Sequence, residues 1–237
     1  MERLEFWLDP ISPYAALAFE RLPQLLAGVS HEVVYRPVLF AGLLKHWGQL
    51  GPAEIAPKRD WTYRHVLWLA HRDGVPLDCP AAHPFDPLPL LRLAWAAATP
   101  ASDAFDTAGS GPGGDAPDRG RSPGATPSRW VVEAILRHVW RGGADAGDAA
   151  RLEGLTRSLA PPRDPADPAV KQALRNATDA AIARGVFGVP TIACRGRLFW
   201  GLDGLEMLAA WLNGQAWFDG PAWDQAAALP VGISRRR

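Results

Sequence analysis

The chain has 237 residues, 48 % of them hydrophobic, and its 25 Lys and Arg balance 25 Asp and Glu. This indicates a globular protein of one large or two small domains, and zero net charge gives no reason to expect nucleic acid or an anionic membrane as partner. Cys79 and Cys194 form neither a C-x-x-C motif nor a metal-ligand spacing, so we expect no disulfide framework and no metal site. We recognise no signal peptide and no apolar run of membrane-spanning length, and therefore expect a cytoplasmic protein.

The first predicted element is a strand that leads directly into a helix. Residues 4–8 form an apolar run bounded by an Asp-Pro break, which predicts a short buried strand. Ser12 then offers a hydroxyl at the N-cap and Pro13 takes the first helical position, which is the usual order at a helix start. Apolar residues recur at helical spacing until Gly28, where we expect the helix to end.

A second strand and a long helical block follow. Residues 31–35 alternate enough to predict a strand, which Pro37 ends. A β-α-β unit needs a crossover, so the two strands are predicted to be parallel. The helical block is predicted to contain helices at 41–47, 59–73, 88–98, 130–139, 148–158 and 170–184.

One segment inside this block has a different composition. Residues 100–128 are mostly Gly, Pro, Ser, Asp and Ala and contain almost nothing to bury, so we interpret them as a flexible, disordered insertion. A phosphate-binding loop is the alternative interpretation. It is disfavoured because no Gly-Lys-Ser/Thr follows the glycines and no strand precedes them.

The last part of the chain returns to strands. Residues 191–194 and 198–200 are predicted to form a hairpin, and 204–212 a closing helix. The order β-α-β, helical block, β-β-α predicts an α/β, thioredoxin-like fold with a large all-helical insertion. The expected domains are 1–39 together with 186–237 for the thioredoxin-like part and 40–185 for the helical insertion.

Three positions are candidates for chemistry. The helix that starts at Ser12 has unpaired backbone amides and a partial positive charge, so an anion placed there is stabilised, and we expect a thiolate that another molecule supplies. Pro190, just before a strand, is a candidate for a cis peptide bond, whereas a trans proline at a strand start is the alternative that the residues alone favour. Asp203 precedes the last helix and is either its N-cap, which the pattern favours, or a partner for a ligand ammonium.

Three motifs together resemble those of the 2-hydroxychromene-2-carboxylate isomerase family, which is related to kappa-class glutathione transferases and to DsbA-type disulfide oxidoreductases. They are FWLDPISPY at 6–14, GVFGVPT at 185–191 and LFWGLD at 198–203. DsbA-like oxidoreductases carry Cys-x-x-Cys at the helix start, where this chain has Ser12-Pro13-Tyr14-Ala15. Thiol–disulfide exchange at this position is therefore excluded, whereas a thiolate brought by glutathione can still be stabilised.

The resemblance implies a glutathione-dependent isomerase, with glutathione as a recycled cofactor. It would interconvert 2-hydroxychromene-2-carboxylate and trans-o-hydroxybenzylidenepyruvate, a step of aromatic hydrocarbon catabolism. Ser12 would be the catalytic residue that donates to the glutathione sulfur, Pro190 would be cis, and Asp203 would lie near the γ-glutamyl ammonium. The implied glutathione-binding residues are Ser12, Val189, Pro190, Trp200, Gly201, Leu202 and Asp203.

The second substrate would be a small aromatic carboxylate held between the sheet and the helical block, against aromatic rings and a cation. The chain departs from the family here: residues 51–54 lack the frequent Asn, Gly204 replaces an Arg, and Asp86 stands where Asn is frequent. A kappa-like transferase or peroxidase and a non-catalytic peptide-binding thioredoxin fold remain alternatives, and a homodimer is compatible with the sequence. The candidate substrate-binding residues are Lys45, Glu54, Lys58, Trp61 and Phe85.

Overall fold

A four-stranded mixed sheet forms the centre of the molecule in the computed structural model, which describes residues 1–99 and 124–233. The strand order is β2-β1-β3-β4. The first two strands are parallel, as the crossover predicts, and the other neighbours are antiparallel. The strands are β1 (Glu2–Leu8), β2 (His31–Pro37), β3 (Thr191–Cys194) and β4 (Arg197–Trp200).

The helices connect and cover this sheet. The first, α1 (Pro13–Leu25), joins β1 to β2. Between β2 and β3, the described residues contain six more α-helices: α2 (Phe40–Trp47), α3 (Ala56–Asp73), α4 (Leu88–Ala96), α5 (Arg129–Trp140), α6 (Ala149–Leu159) and α7 (Pro168–Ala183). The chain then continues after the hairpin through α8 (Gly204–Leu212) and α9 (Ala222–Ala227). Over the described ranges, no helix is long and apolar enough to cross a membrane.

Apolar side chains bury both faces of the sheet. Leu4, Phe6 and Leu8 point into a cluster that includes residues of α1, α3, α5 and α8, whereas Trp7 points into a second cluster with α4 and α7. This alternation is the period of two that a strand imposes on its side chains. The helical block therefore packs directly on the sheet, and the thioredoxin-like α/β fold with a helical insertion is confirmed.

Most predicted elements are present with boundaries shifted by a few residues, but two regions differ. Residues 100–123 of the predicted disordered insertion lie outside the described residues. For 124–128 the prediction is wrong: Thr126 N donates to Thr99 O at 3.1 Å, and the Ser128 hydroxyl caps α5. The second difference is an unpredicted turn and helix after α8, where Arg197 lies between the rings of Trp211 and Trp223.

Candidate active site

Ser12 lies at the N-cap of α1, as the sequence predicts, with extended backbone angles of φ −89° and ψ 115°. Its Oγ accepts from Ala15 N at 3.2 Å and its hydroxyl donates to Val189 O at 3.3 Å. Pro13 has no N–H, and the Tyr14 amide lies in the first turn of the helix and has no hydrogen-bond partner among the described residues. The helix start therefore offers a hydroxyl and a free amide to an anion.

Two loops converge on this hydroxyl. The Val189–Pro190 peptide bond is cis, which confirms the expectation drawn from the resemblance, whereas the trans alternative is wrong. Gly201 N donates to Pro190 O at 2.9 Å, so the loop after β4 is joined to the loop before β3. The Val189 amide donates to no group in the described ranges, and the carbonyl of the same residue accepts from the hydroxyl of Ser12.

Trp200 forms a wall beside the cis-proline loop. Its indole is 52 % exposed and lies across the backbone of Gly188, where an added Cβ would come within 2.5 Å of the indole Nε1. The ring of Phe187 packs against it with centroids 4.9 Å apart. Leu202 differs from its neighbours because its side chain is buried in the core, which leaves only its backbone for a ligand.

Asp203 occupies the N-cap position of α8, but its side chain makes no capping hydrogen bond. Its backbone is helical, at φ −66° and ψ −31°, whereas a capping side chain needs extended backbone to reach the amides above it. The cap interpretation that the pattern favoured is therefore wrong. The carboxylate is exposed and bends over Gly201, whose φ of +86° and missing Cβ make room for it.

A buried carboxyl group holds the loop in front of Ser12. Asp9 is fully buried, and its two oxygens accept from Ile11 N and Phe40 N, both at 2.9 Å. Burial raises the pKa of Asp9 to about 7, and the two amides act in the opposite direction. One side chain thus fixes the end of β1, the approach to Ser12 and the start of α2.

Two ring nitrogens from the helical block hold the carbonyls of the same loop. Trp140 Nε1 donates to Pro10 O at 2.8 Å, and His83 Nε2 lies 2.7 Å from Ile11 O. A carbonyl can only accept, so His83 Nε2 carries the hydrogen and Nδ1 accepts from the Tyr63 hydroxyl at 2.7 Å. Burial lowers the pKa of His83, which favours this neutral form.

The sequence did not identify these supporting residues. Asp9 was interpreted only as part of a break between strand and helix, and Trp140 carries no local pattern beyond an apolar helix face. His83 does precede a proline, and the His83–Pro84 bond is cis. An aspartate at a strand end, three residues before an N-cap, was the signal available for Asp9.

The candidate substrate residues lie in different surroundings. Trp61 is 65 % exposed and its ring is parallel to that of His65, whose Nδ1 lies 2.9 Å from the Tyr14 hydroxyl. Phe85 packs edge-on to the ring of His83 and is half-buried. The structure therefore brings Trp61 and Phe85 into contact with groups that adjoin the Ser12 helix and loop.

The three charged candidates are less connected to the site. Lys45 and Lys58 are exposed, on α2 and in the first turns of α3, without an ion pair among the described residues. Glu54 is engaged locally, because its Oε1 accepts from Gly51 N at 2.6 Å and closes a short turn. Within the described ranges, no His, Cys, Asp and Glu cluster could hold a metal ion.

Comparison with known proteins places this site in a class. The model of the DSBA-like thioredoxin domain family matches residues 3–106 and 126–213. The chain belongs to this family of DSBA-like thioredoxin domains, and Ser12 is the N-cap of its first helix.

The chain is also similar to individual proteins over most of its length. The chain is 26 % identical to a 2-hydroxychromene-2-carboxylate isomerase of Sphingobium xenophagum, over 88 % of this chain and 97 % of that protein. A solved 2-hydroxychromene-2-carboxylate isomerase superposes with a TM-score of 0.67 at 20 % identity, covering 97 % of this chain and 100 % of its own. A probable DsbA oxidoreductase from Streptomyces coelicolor gives a TM-score of 0.53 at 17 % identity, covering 99 % and 94 %. The expected resemblance is thereby confirmed.

Proposed function

We propose that this protein is a glutathione-dependent isomerase that interconverts 2-hydroxychromene-2-carboxylate and trans-o-hydroxybenzylidenepyruvate. The observation that carries the proposal is Ser12, whose hydroxyl stands at the start of α1 beside a cis-proline loop. No cysteine is present in residues 9–15, so a reactive sulfur has to come from a ligand. The likeness to a curated isomerase over most of both chains supports the choice of reaction.

Glutathione would place its sulfur at the start of α1. The Ser12 hydroxyl, which donates to Val189 O without ligand, would turn its hydrogen to the sulfur, and the Tyr14 amide would point to the same anion. These donors and the partial positive charge of the helix lower the pKa of a thiol, as they do for cysteines at helix starts. Ser12 thus orients and stabilises the thiolate and does not attack.

The rest of the tripeptide would lie along the two converging loops. The free amide of Val189 would pair with the cysteinyl carbonyl, in the manner of an added strand, next to cis Pro190. Trp200 and the backbone of Gly201 and Leu202 would line the γ-glutamyl side, where the exposed carboxylate of Asp203 meets its ammonium.

The reaction uses the thiolate as a removable nucleophile. The hemiketal ring of the chromene first opens: the ring C–O bond breaks and the proton of the 2-hydroxyl passes to the phenol oxygen, which leaves a ketone conjugated with the double bond. The thiolate then adds to the carbon of that double bond next to the aromatic ring, and the electron pair moves to the enolate oxygen. Rotation about the resulting single bond follows, and return of the electron pair expels the thiolate and restores the double bond in the trans geometry. Glutathione is recovered unchanged, which fits a cytoplasmic enzyme with access to reduced glutathione. For the aromatic carboxylate we retain the candidates Trp61 and Phe85 as walls and Lys45, Lys58 and Glu54 as polar contacts.

Ser12→Ala, with Ser128→Ala as matched control, tests the assigned role. Both serines cap a helix by accepting from the amide three residues on, at 3.2 and 3.3 Å, so each loss costs about 1 kcal/mol of stability. Only Ser12→Ala is expected to raise the pKa of the bound glutathione thiol, by about 1 to 2, because a hydrogen bond to a charged group is lost. The measurement is thiolate absorbance of bound glutathione against pH, together with chromene turnover.

Each outcome separates one interpretation from the others. Equal thiolate absorbance in the two variants would refute the role of Ser12. Turnover with glutathione consumed would indicate a kappa-like transferase or peroxidase instead of an isomerase. Failure of the wild type to bind glutathione at millimolar concentration would leave the peptide-binding thioredoxin fold.

A further inference from the structure

A tyrosine–histidine pair joins α1 to α3 at the edge of the candidate active site. The Tyr14 hydroxyl lies 2.9 Å from His65 Nδ1, and Tyr14 is two residues beyond Ser12. Either the tyrosine donates and His65 Nε2 carries the ring hydrogen, or His65 Nδ1 donates and the tyrosine hydrogen is free. In both tautomers the pair has one hydrogen left to donate to another group. His65 Nε2 has no hydrogen-bond partner in the described part of the chain.

The orientation of the imidazole is fixed by its neighbours on α3. The rings of Trp61 and Trp68 are parallel to it within 15°, at centroid distances of 5.9 and 6.2 Å. Both indoles are more than half exposed. A histidine held between two aromatic rings loses little conformational freedom when a ligand binds, which favours a role in recognition.

Asp203 lies at the start of α8, which packs against α1 as α3 does. Arg21 lies two turns further along α1, on the same face as Tyr14. Its Nε is 3.1 Å from Asp73 Oδ2 of α3 and its Nη2 is 3.7 Å from Glu206 Oε1 of α8, so both helices flank this face of α1. Asp203 precedes Glu206 by three residues, about one helical turn towards Tyr14. In agreement, burial and then the negative charge of Asp203 raise the pKa of the Tyr14 phenol.

An unpaired carboxylate and an unpaired donor near the same tyrosine suit a ligand group that carries a positive and a negative charge. An α-amino acid head group is such a zwitterion: its ammonium needs an anion, and its carboxylate needs donors. Gly204, which follows Asp203, has no side chain that could donate, and an added Cβ would be in tight contact, 3.1 Å from the Phe199 carbonyl carbon. A side-chain donor for the carboxylate therefore has to come from another element, and the Tyr14–His65 pair provides one.

We propose that Tyr14 and His65 bind the α-carboxylate of the γ-glutamyl group of glutathione, opposite Asp203, which binds its ammonium. The inference rests on the proposed use of glutathione and adds two binding residues from outside the converging loops. It also gives the helical block a direct part in cofactor binding, since His65 belongs to α3. Recognition of the head group then requires α1, α3 and α8 together.

The experiment compares two ligands that differ only in the α-carboxylate of the γ-glutamyl group. S-Methylglutathione has no ionisable thiol, so its binding is independent of the thiolate role of Ser12. Its analogue with γ-aminobutyryl in place of γ-glutamyl lacks the α-carboxylate. We expect the wild type to bind the first about 10- to 100-fold more tightly, the effect of one or two charge-assisted hydrogen bonds.

In His65→Gln and Tyr14→Phe this preference should fall to about threefold or less, through weaker binding of S-methylglutathione alone. Tyr63→Phe is the matched control. It breaks the other tyrosine–histidine hydrogen bond of α3, that with His83, so any loss of affinity should be shared by both ligands and leave the ratio unchanged. Thermal unfolding of each variant checks that the fold is retained.

The outcomes distinguish the two proposals. An unchanged preference in both variants, or none in the wild type that binds S-methylglutathione, would refute the roles of Tyr14 and His65 and leave the proposed function standing. Loss of preference in the Tyr63→Phe control as well would assign the effect to the packing of α3 and would also refute them. Absence of binding for both ligands and for glutathione itself would overturn the proposed function.

Discussion

Asp9 and Asp203 are two aspartates beside the same helix start, and the structure uses them in opposite ways. Asp9 is fully buried and each of its oxygens accepts a backbone amide, so its polar atoms are satisfied within the protein. Asp203 is exposed, and its carboxylate does not cap the helix that follows it. The difference separates a group that shapes the site from one that remains available to a ligand.

The two tyrosine–histidine pairs of α3 show the same contrast. His83 uses both ring nitrogens, one on Tyr63 and the other on Ile11 O, and so braces the loop before Ser12. His65 uses one ring nitrogen on Tyr14 and keeps the other unpaired among the described residues. Identical side-chain chemistry thus supports the scaffold in one place and leaves a ring nitrogen available to a ligand in the other.

Among the variants that test the contrast between Asp9 and Asp203, we expect Asp9→Ala to have the largest effect on stability. The variant leaves the amides of Ile11 and Phe40 without acceptors in a buried place, and each unsatisfied group costs about 1 to 3 kcal/mol. We expect the free energy of unfolding at pH 5 to fall by about 2 to 4 kcal/mol in urea denaturation. A loss within experimental error would contradict the scaffold role of Asp9.

A feature of this site could be predicted from the sequence when the residues that determine it are close together along the chain. The Ser12 cap was predictable because a hydroxyl and an amide three residues on decide it. Asp9, His83 and Trp140 were not, since their partners depend on how the helical block meets the loop. Asp203 was assigned wrongly because its residue type and position suit a cap, whereas its helical backbone angles do not.

The fold was predictable to a greater extent than the site. Apolar periodicity gave the strands and most helices, and the crossover rule gave the parallel pair of β1 and β2. The error at 124–128 arose because composition suggests a loop there, whereas pairing of Thr126 with Thr99 and the cap at Ser128 order the segment. Those contacts join residues on either side of a long insertion, and composition cannot indicate them.

A smaller effect is expected from pH. The pKa of Asp9 is raised from 3.8 to about 7, so the folded chain binds more protons than the unfolded chain between these values. The stability that Asp9 contributes is therefore fully present below about pH 4 and is lost as the pH rises towards 7. Compared with Asp9→Asn, we expect the wild type to lose about 1 to 3 kcal/mol between pH 5 and 7.

The difference between the two proteins is the quantity to measure, because other titrating groups contribute equally to both. Urea denaturation at half-unit pH steps gives it directly. Parallel curves for the wild type and Asp9→Asn would show that Asp9 titrates at its ordinary pKa in the fold, and would place its carboxylate in contact with solvent.

The smallest expected effect on stability, and a specific effect on binding, comes from Asp203→Asn. An exposed carboxylate without a capping bond contributes little to the fold, so the free energy of unfolding should change by no more than about 0.5 kcal/mol. Binding of S-methylglutathione should weaken about tenfold, whereas an analogue with glutaryl in place of γ-glutamyl, which lacks the ammonium, should bind both proteins equally. If the binding of both ligands weakened equally, Asp203 would act through the loop and not on the ammonium. If Asp203→Asn lost as much stability as Asp9→Ala, the distinction between the two aspartates would be wrong.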